Sequence, residues 1–390
     1  MLSIQQYNST VLAEDEVSVN QSHHYVAPLR CRENLTTTSP TAAGLSMTLG
    51  IVSNIIALAI LANAYSRRSK TTKATFLLFA SSLVVTDLVG HVIPGALVLH
   101  LYLSGTGPCL PAVPDGTCYF LGGSMVFFGL CPLFLGCAMA VERCIGVTRP
   151  LLHKRLVCTT QTKIVMVMVW LLALSVAFLP FFRLGSYTYQ YPWTWCFINV
   201  LDETNVTDVI FVVLFSGLGL ASLAVALVCN TISGVTLVAA RLRKKQKQES
   251  VRQSKKDKQE SVRLSRKDKQ NKASKTHDIE MVVQLVGIMV TSCICWSPLL
   301  IFGLMSVIRS SISSMGDDLE MSYRSLLVMG VRLASWNQIL DPWVYILLRR
   351  AILRKIYYLT TGRTGRRGST FRQWEASSFQ NSVKKAINQT

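Results

Sequence analysis

The stretch "GLCPLFLGCAMAVERCIGVTRPL", residues 129–151, contains no charged side chain before the adjacent Glu142 and Arg143. It belongs to an apolar segment, residues 119–148, and roughly 20 residues of helix cross a hydrocarbon core about 30 Å thick. In the 390-residue chain, 50% of the residues are hydrophobic and only 16% are charged, which is unusual for a soluble domain of this length. The sequence therefore predicts a membrane protein.

Further apolar windows of comparable length recur along the chain. Because a bilayer offers no partner to a backbone amide, each window must pair its own amides as a helix. The sequence thus predicts an all-α fold, a bundle of seven transmembrane helices. The windows are residues 42–65, 75–103, 119–148, 163–182, 209–240, 278–307 and 325–348.

The distribution of charge predicts the orientation of this bundle, residues 42–348. Residues 241–275 contain 15 Lys and Arg against 4 Asp and Glu, and residues 349–390 contain 10 against 1. Positively charged segments stay in the cytoplasm, so these two are predicted to be the third cytoplasmic loop and the cytoplasmic tail. The loop is too polar to bury a core, so it is expected to be a solvated extension of the fifth and sixth helices or disordered. The tail begins with alternating basic and apolar residues, which predict a short amphipathic helix on membrane lipid. Neither segment has the interleaved aromatic residues that would indicate a nucleic-acid partner.

The opposite face carries the marks of an extracellular surface. Residues 1–41 are predicted to be an extracellular amino terminus, and they lack the apolar run of a cleaved signal peptide. Glycosylation requires lumenal exposure, and the four sequons that fall on this face predict modification at Asn8, Asn20, Asn34 and Asn205.

Cysteine placement agrees with this topology. Only Cys31, Cys109, Cys118 and Cys196 fall on the oxidising side, an even number that permits two disulfides. The favoured pairing is Cys118 with Cys196, which would tie the top of the third helix to the loop before the fifth. Cys31 with Cys109 is the second, open possibility.

Polar residues and prolines lie inside the predicted spans, where polar groups are costly and usually functional. In the sixth span Pro298 removes a backbone hydrogen bond beside Trp296 and predicts a bend. In the seventh, "LDPWVY" combines an aspartate with a proline. Together these positions resemble the rhodopsin-like G-protein-coupled receptors; they are Asn54, Asp87, Glu142, Arg143, Trp296, Pro298, Asp341 and Tyr345.

Longer stretches make the resemblance narrower. "GHVIPGALVL", "TWCFINV" and "RLASWNQILDPWVYILLR" resemble the prostanoid receptors, which have Glu-Arg-Cys for the usual Asp-Arg-Tyr and Asp-Pro for Asn-Pro, as this chain does. The resemblance covers nearly all seven helices. It implies a receptor for prostaglandin E, with prostaglandin F as the alternative ligand, that couples to a heterotrimeric G protein of the Gq class and releases calcium.

The resemblance also implies a ligand site around Arg332. A charge within a span costs about 2.5 to 3.5 kcal/mol on insertion scales. The carboxylate of a fatty-acid-derived ligand would match the guanidinium with two parallel hydrogen bonds, whereas a side chain that reaches the headgroups or pairs internally is the competing interpretation. The family's further carboxylate donors would be Thr194 and Tyr102. Candidates by position, which core packing explains equally simply, are His91, Met125, Trp195, Ser335 and Trp336.

The remaining polar positions suggest a switch. The resemblance implies that Asn54, Asp87 and Asp341 form a network that changes between inactive and active states, although a static hydrogen-bonded cluster is the alternative. Outward movement of the sixth helix at Pro298 would then open a G-protein cleft beside Arg143. We expect no catalytic residue, cofactor or metal. A transporter would show internal repeats, and an intramembrane protease would need more than the two aspartates.

Overall fold

The structure is a computed structural model, and it describes ten stretches of the chain. They are residues 29–31, 40–66, 74–103, 109–111, 116–156, 158–191, 193–200, 205–254, 286–308 and 317–347.

Within these stretches the chain is almost entirely helical. Seven long helices and one short helix, α4, follow one another, and a 3-10 turn, Leu179–Phe182, continues α5. In chain order they are α1 Thr41–Ser66, α2 Ala74–Leu103, α3 Gly116–Thr148, α4 Pro150–Leu156, α5 Thr159–Phe178, α6 Val206–Ser254, α7 Val286–Ile308 and α8 Asp317–Leu347.

Six of the described helices are long and apolar enough to cross a membrane: α1, α2, α3, α5, α6 and α7. Helix α8 has 31 residues, which at 1.5 Å per residue also suffices in length. Its mean hydropathy is lower because it carries six charged residues, namely Asp317, Asp318, Glu320, Arg324, Arg332 and Asp341. The predicted all-α bundle is confirmed.

The predicted boundaries need one adjustment. Helix α6 continues to Ser254, so residues 241–254 of the predicted third loop are helical. This extension is polar, and a solvated helix satisfies its backbone without a core. Residues 278–285, the tail from 349 onward and the sequons at Asn8, Asn20 and Asn34 lie outside the described residues. Asn205 is exposed, directly before α6.

The packing places polar groups inside and apolar groups outside. Helix α3 contacts α2, α5 and α6 and is buried along much of its length. Asp87 and Asp341 are 0% and 2% exposed, whereas Met168 and Val228 on the outer surface are 61% and 56% exposed. A soluble protein would show the opposite arrangement. The outer surface of the bundle is therefore suited to lipid.

Two short two-stranded antiparallel sheets accompany the helices, and the second of them is a hairpin. Strand β1, Leu29–Cys31, pairs with β2, Cys109–Pro111, and the register sets position 31 opposite 109. Strand β3, Tyr187–Gln190, pairs with β4, Trp195–Ile198. A disulfide joins Cys118 of α3 to Cys196 of β4, with 5.3 Å between their Cα atoms, which confirms that predicted pairing. The register is consistent with the second pairing, which stays a prediction.

Candidate functional site

An apolar cavity of about 460 Å³ lies among α1, α2, α3, α7 and α8, beneath strand β4. Its volume falls in the range of about 300–1,000 Å³ that is usual for sites of drug-sized ligands. Most of its wall is hydrocarbon or aromatic ring, including Met47, Val98, Met125, Phe128 and Leu299. The cavity suits a mostly apolar molecule with few polar groups.

The polar lining of the cavity is sparse and includes one cation. Arg332 of α8 lines the cavity and is otherwise exposed. The ion pairs at Glu142 involve Arg143 and His153, and neither of them neutralises the Arg332 guanidinium. Ser335 and Trp336, three and four residues further along α8, share its helical face. The Ser335 hydroxyl donates to the Arg332 carbonyl at 2.8 Å.

The structure brings seven of the eight predicted ligand-binding residues to this cavity. Thr194 is the exception: it does not line the wall, and its hydroxyl oxygen is buried without a hydrogen-bond partner in the described structure. Trp195, the next residue of the hairpin, lines the wall instead. The seven are His91, Tyr102, Met125, Trp195, Arg332, Ser335 and Trp336.

His91 enters the cavity wall because α1 offers a glycine where the two helices meet. A Cβ atom at position 50 would collide with the His91 ring, so Gly50 is needed for this close approach. The ring is 6% exposed, and its Nε2 atom has no hydrogen-bond partner among the described residues. A buried imidazole nitrogen without a partner is costly. The site therefore has an unused hydrogen-bonding group as well as a cation.

Strand β4 forms the roof of the cavity. Trp195 and Phe197 of this strand line it, and the disulfide at Cys196 fixes the strand to α3. The indole N–H of Trp195 donates to the Tyr191 carbonyl at 2.9 Å. Below the roof, Tyr187 of β3 is fully buried, which raises the pKa of its phenol, and its hydroxyl donates to the Ala177 carbonyl at 2.8 Å. The hairpin is thus fixed to both α3 and α5.

Gln338 is a polar lining residue that the sequence analysis missed. Its amide nitrogen donates to the Phe128 carbonyl at 2.8 Å, and its own backbone carbonyl accepts from Asn54 at 3.1 Å. It therefore joins α8 to α3 and α1 directly beneath the cavity. An uncharged polar residue inside an apolar span, between Trp336 and Asp341, was the available signal.

A buried polar cluster continues below Gln338. Asn337 donates to the Asp341 carboxylate at 2.9 Å, and Asn54 also donates to the Gly50 carbonyl at 2.9 Å. Both carboxylate oxygens of Asp87 and one of Asp341 are buried without a hydrogen-bond partner in the part of the chain that the structure describes. Asn54 reaches α8 through the backbone carbonyl of Gln338, and its predicted network with Asp87 and Asp341 stays a prediction. Buried polar groups without partners are costly.

Trp296 connects the cavity to the sixth span. It lines the cavity and is 4% exposed, and a Cβ atom at Gly129 of α3 would lie 3.0 Å from its ring. Two residues on, Pro298 is exposed on the outer surface of α7. A ligand in the cavity would therefore contact α7 directly. Tyr345 lies in α8, and its side chain is outside the described residues.

At the end of α3 away from the disulfide, a carboxylate has several partners. Glu142 is 7% exposed, and its Oε1 atom lies 2.9 Å from Nε2 of His153 in α4 and 3.5 Å from the Thr75 hydroxyl. Its Oε2 atom lies 3.2 Å from Nε of Arg143. His153 was also missed by the sequence analysis; it follows Pro150 by three residues, within the first turn of the short helix.

Comparison with known proteins identifies the class. Residues 53–345 match the family "7 transmembrane receptor (rhodopsin family)". The crystal structure of squid rhodopsin superposes with a TM-score of 0.61 at 16% identity, covering 82% of this chain and 84% of the rhodopsin, so that likeness concerns the fold alone. The chain belongs to the rhodopsin family of seven-transmembrane receptors.

Relatives narrow the class further. The "Prostaglandin E2 receptor EP1 subtype" of dog is 48% identical over 377 residues, covering 90% of each chain. The human protein of the same name is 48% identical over 373 residues, covering 88% of this chain and 90% of its own. The human "Prostaglandin F2-alpha receptor" is 39% identical over 378 residues, covering 95% and 96%. Within its family the chain is thus a prostanoid receptor, a multi-pass protein of the plasma membrane and not an enzyme, as the sequence predicted.

Proposed function

We propose that this receptor responds to prostaglandin E and signals through a Gq-class protein to phospholipase C and intracellular calcium. The observation that carries the proposal is the apolar cavity with Arg332 as its one cation among the described lining residues. Relatives that are 48% identical carry the name of a prostaglandin E2 receptor. The proposal includes an extracellular amino terminus, and the position of exposed Asn205 at the disulfide-bonded end of the bundle supports this orientation.

The ligand carboxylate pairs with Arg332. A guanidinium and a carboxylate form two parallel hydrogen bonds, and removal of both from water strengthens them. The Tyr102 hydroxyl is a second donor that lines the same cavity. Thr194 serves as a further donor only if the roof shifts when ligand binds, because its hydroxyl lies outside the present lining.

The apolar part of the ligand fills the remainder of the cavity. Met125, Trp195 and Trp336 supply apolar and aromatic surface for its hydrocarbon chains, at about 25 cal/mol for each Å² removed from water. The unpartnered Nε2 atom of His91 lies in the wall and supplies a hydrogen bond to an oxygen of the cyclopentane ring. Ser335 is the remaining predicted polar contact.

Activation follows from contact with the floor of the cavity. A ligand shifts a conformational equilibrium only by its difference in affinity for the two states. Agonist contact with Trp296 favours the state in which α7 swings outward at Pro298, and the cluster of Asn54, Asp87 and Asp341 rearranges with it. Arg143 is then released from Glu142 and contacts the G protein. Tyr345 completes the switch from α8.

The ligand is tested by competition binding on membranes. Prostaglandins E and F differ at one ring position, a carbonyl in one and a hydroxyl in the other. We expect prostaglandin E to displace the radioligand at the lower concentration. The opposite ranking would favour the prostaglandin F receptor as the function, an alternative supported by the 39% identical relative.

Coupling is tested separately by reconstitution. Purified receptor is mixed with Gq, Gs or Gi heterotrimers, and agonist-dependent nucleotide exchange is measured for each. Exchange on Gq alone supports the proposed pathway. Exchange on another class without Gq would overturn the coupling proposal and leave the ligand assignment intact.

A further inference from the structure

The turn of the β3–β4 hairpin has a backbone conformation that its sequence does not favour. Trp193 has φ of 70°, in the left-handed region, where the Cβ of a bulky residue crowds the backbone. The conformation closes the turn, because the Trp193 amide donates to the Gln190 carbonyl at 2.6 Å. Glycine would adopt the same φ without this strain. The tryptophan side chain must therefore contribute something that offsets it.

That contribution comes from α8. The guanidinium carbon of Arg324 lies 5.5 Å from the centroid of the Trp193 ring, a cation–π geometry. Arg324 is 8% exposed, so little water competes with the contact. A strained backbone persists only where the surrounding structure holds it in place. The buried arginine, which lies on a different element, is the contact that holds this tryptophan.

The contact between Arg324 and Trp193 is the third attachment of the β3–β4 hairpin to the helices. The disulfide fixes β4 to α3, and the Tyr187 hydroxyl fixes β3 to α5. Arg324 joins the turn of the same hairpin to α8, about two helical turns before Arg332. Neither Arg324 nor Trp193 lines the cavity. They act on a ligand only through the hairpin that covers it.

We propose that Arg324 and Trp193 form a clasp that holds the hairpin shut over the cavity and lengthens the residence time of the ligand. Both are positioning residues, since Trp195 and Phe197, which line the cavity, follow Trp193 on the same hairpin. The effect on the ligand rests on the proposed function, that is, on a carboxylate-bearing lipid held at Arg332. The closure of the hairpin itself does not.

Two measurements on the full-length receptor test hairpin closure and ligand residence time separately. The first is hydrogen exchange of the amides of residues 187–200 without ligand, and the second is the dissociation rate of radiolabelled prostaglandin E. We expect Arg324→Ala and Trp193→Gly each to speed exchange in this segment and to raise the dissociation rate at least fivefold. Trp193→Gly also relieves the backbone strain, so loss of folding does not explain its effect.

Matched variants test the chemistry of the contact. Arg324→Lys keeps a cation and Trp193→Phe keeps a ring, so both should stay within about twofold of the wild type. The double variant Arg324→Ala with Trp193→Gly should dissociate no faster than the faster single variant, because one contact is removed only once.

Each contrary outcome overturns a defined part. Unchanged hydrogen exchange in both single variants would refute the clasp, whether or not the receptor binds prostaglandin. Faster exchange with an unchanged dissociation rate would refute the role in residence time and show that the ligand leaves by a route that avoids the roof. Absence of prostaglandin binding in the wild type would refute the proposed function, while the exchange measurement still decides the clasp.

Discussion

The two ends of the bundle treat charge in opposite ways. At the disulfide-bonded end Arg332 faces an apolar cavity, and no acidic residue of the described chain pairs with it. At the opposite end Glu142 is buried and has His153, Arg143 and Thr75 around it. A charged side chain thus lacks an internal partner at one end of the bundle and has several partners at the other.

This difference assigns different tasks to the two ends. A cation without an internal partner gains its counterion from a ligand, so changes there should alter affinity. A carboxylate with internal partners stabilises one arrangement of the helices, so changes there should alter the basal equilibrium between states. If variants at either end changed both ligand affinity and basal activity to the same extent, the two ends would not have different tasks.

The largest effect is expected for Arg332→Ala. Loss of the charged partner should weaken prostaglandin binding by more than about 2 kcal/mol, or roughly 30-fold, in competition assays. Arg332→Lys keeps the charge but loses the paired N–H donors of the guanidinium, so its affinity should lie between those of the wild type and the alanine variant. Equal affinity of the alanine variant and the wild type, or of the ligand's free acid and methyl ester, would contradict the anchor.

A smaller loss of affinity is expected for Gly50→Ala. The added Cβ collides with the His91 ring and displaces it, and such overpacking costs about 1 to 3 kcal/mol. We expect roughly tenfold weaker binding by the same assay. Gly44→Ala is the matched control on the same helix, because a Cβ there meets nothing within 4 Å. Similar losses in both variants would point to α1 itself and not to His91.

The end that holds Glu142 is tested by His153→Phe. Loss of one hydrogen bond to Glu142, worth about 1 kcal/mol, should raise agonist-free nucleotide exchange about fivefold. Prostaglandin affinity should rise only slightly. Leu151→Ala is the control in α4, since Leu151 is 79% exposed. Unchanged basal exchange with a large loss of affinity would reverse the assignment of tasks.

The smallest effect is expected for Gln338→Met, between the two ends. The variant removes the hydrogen bond to the Phe128 carbonyl and keeps the side-chain volume, while the backbone carbonyl still accepts from Asn54. A net loss of about 0.5 to 1 kcal/mol predicts a two- to fivefold weaker affinity in competition binding. A loss as large as that of Arg332→Ala would mean that Gln338, and not the cation, dominates recognition.

The helices were predictable because their signal is local. Each apolar window by itself predicts one transmembrane helix. The seventh window was recognised despite Arg332 and Asp341 because the residues around them are mostly apolar. The Cys118–Cys196 disulfide was the favoured pairing among the four cysteines that the topology set on one face. The end of α6 was left open between a solvated helical extension and disorder, since a polar helix that continues past the membrane has no hydrophobic period to mark its limit.

The site was predicted in part. Arg332 was conspicuous as a charge in lipid, the resemblance implied Tyr102, and the other five predicted lining residues were candidates by position. Gln338 and His153 were missed because their importance comes from tertiary neighbours, Phe128 and Glu142, that lie far away in sequence. Thr194 was placed by analogy beside the ligand, but its own turn directs Trp195 into the cavity instead.

Helix α6 has 49 residues, so it is about 74 Å long, more than twice the thickness of a hydrocarbon core. Its last turns form a rod beyond the membrane, and residues 241–254 contribute Arg241, Arg243, Lys244, Lys245, Lys247 and Arg252 against a single acidic residue, Glu249. A protein that docks at this end of the bundle would have to fit beside this basic helix. Its shape and the sign of its charge would then both matter before any specific contact forms.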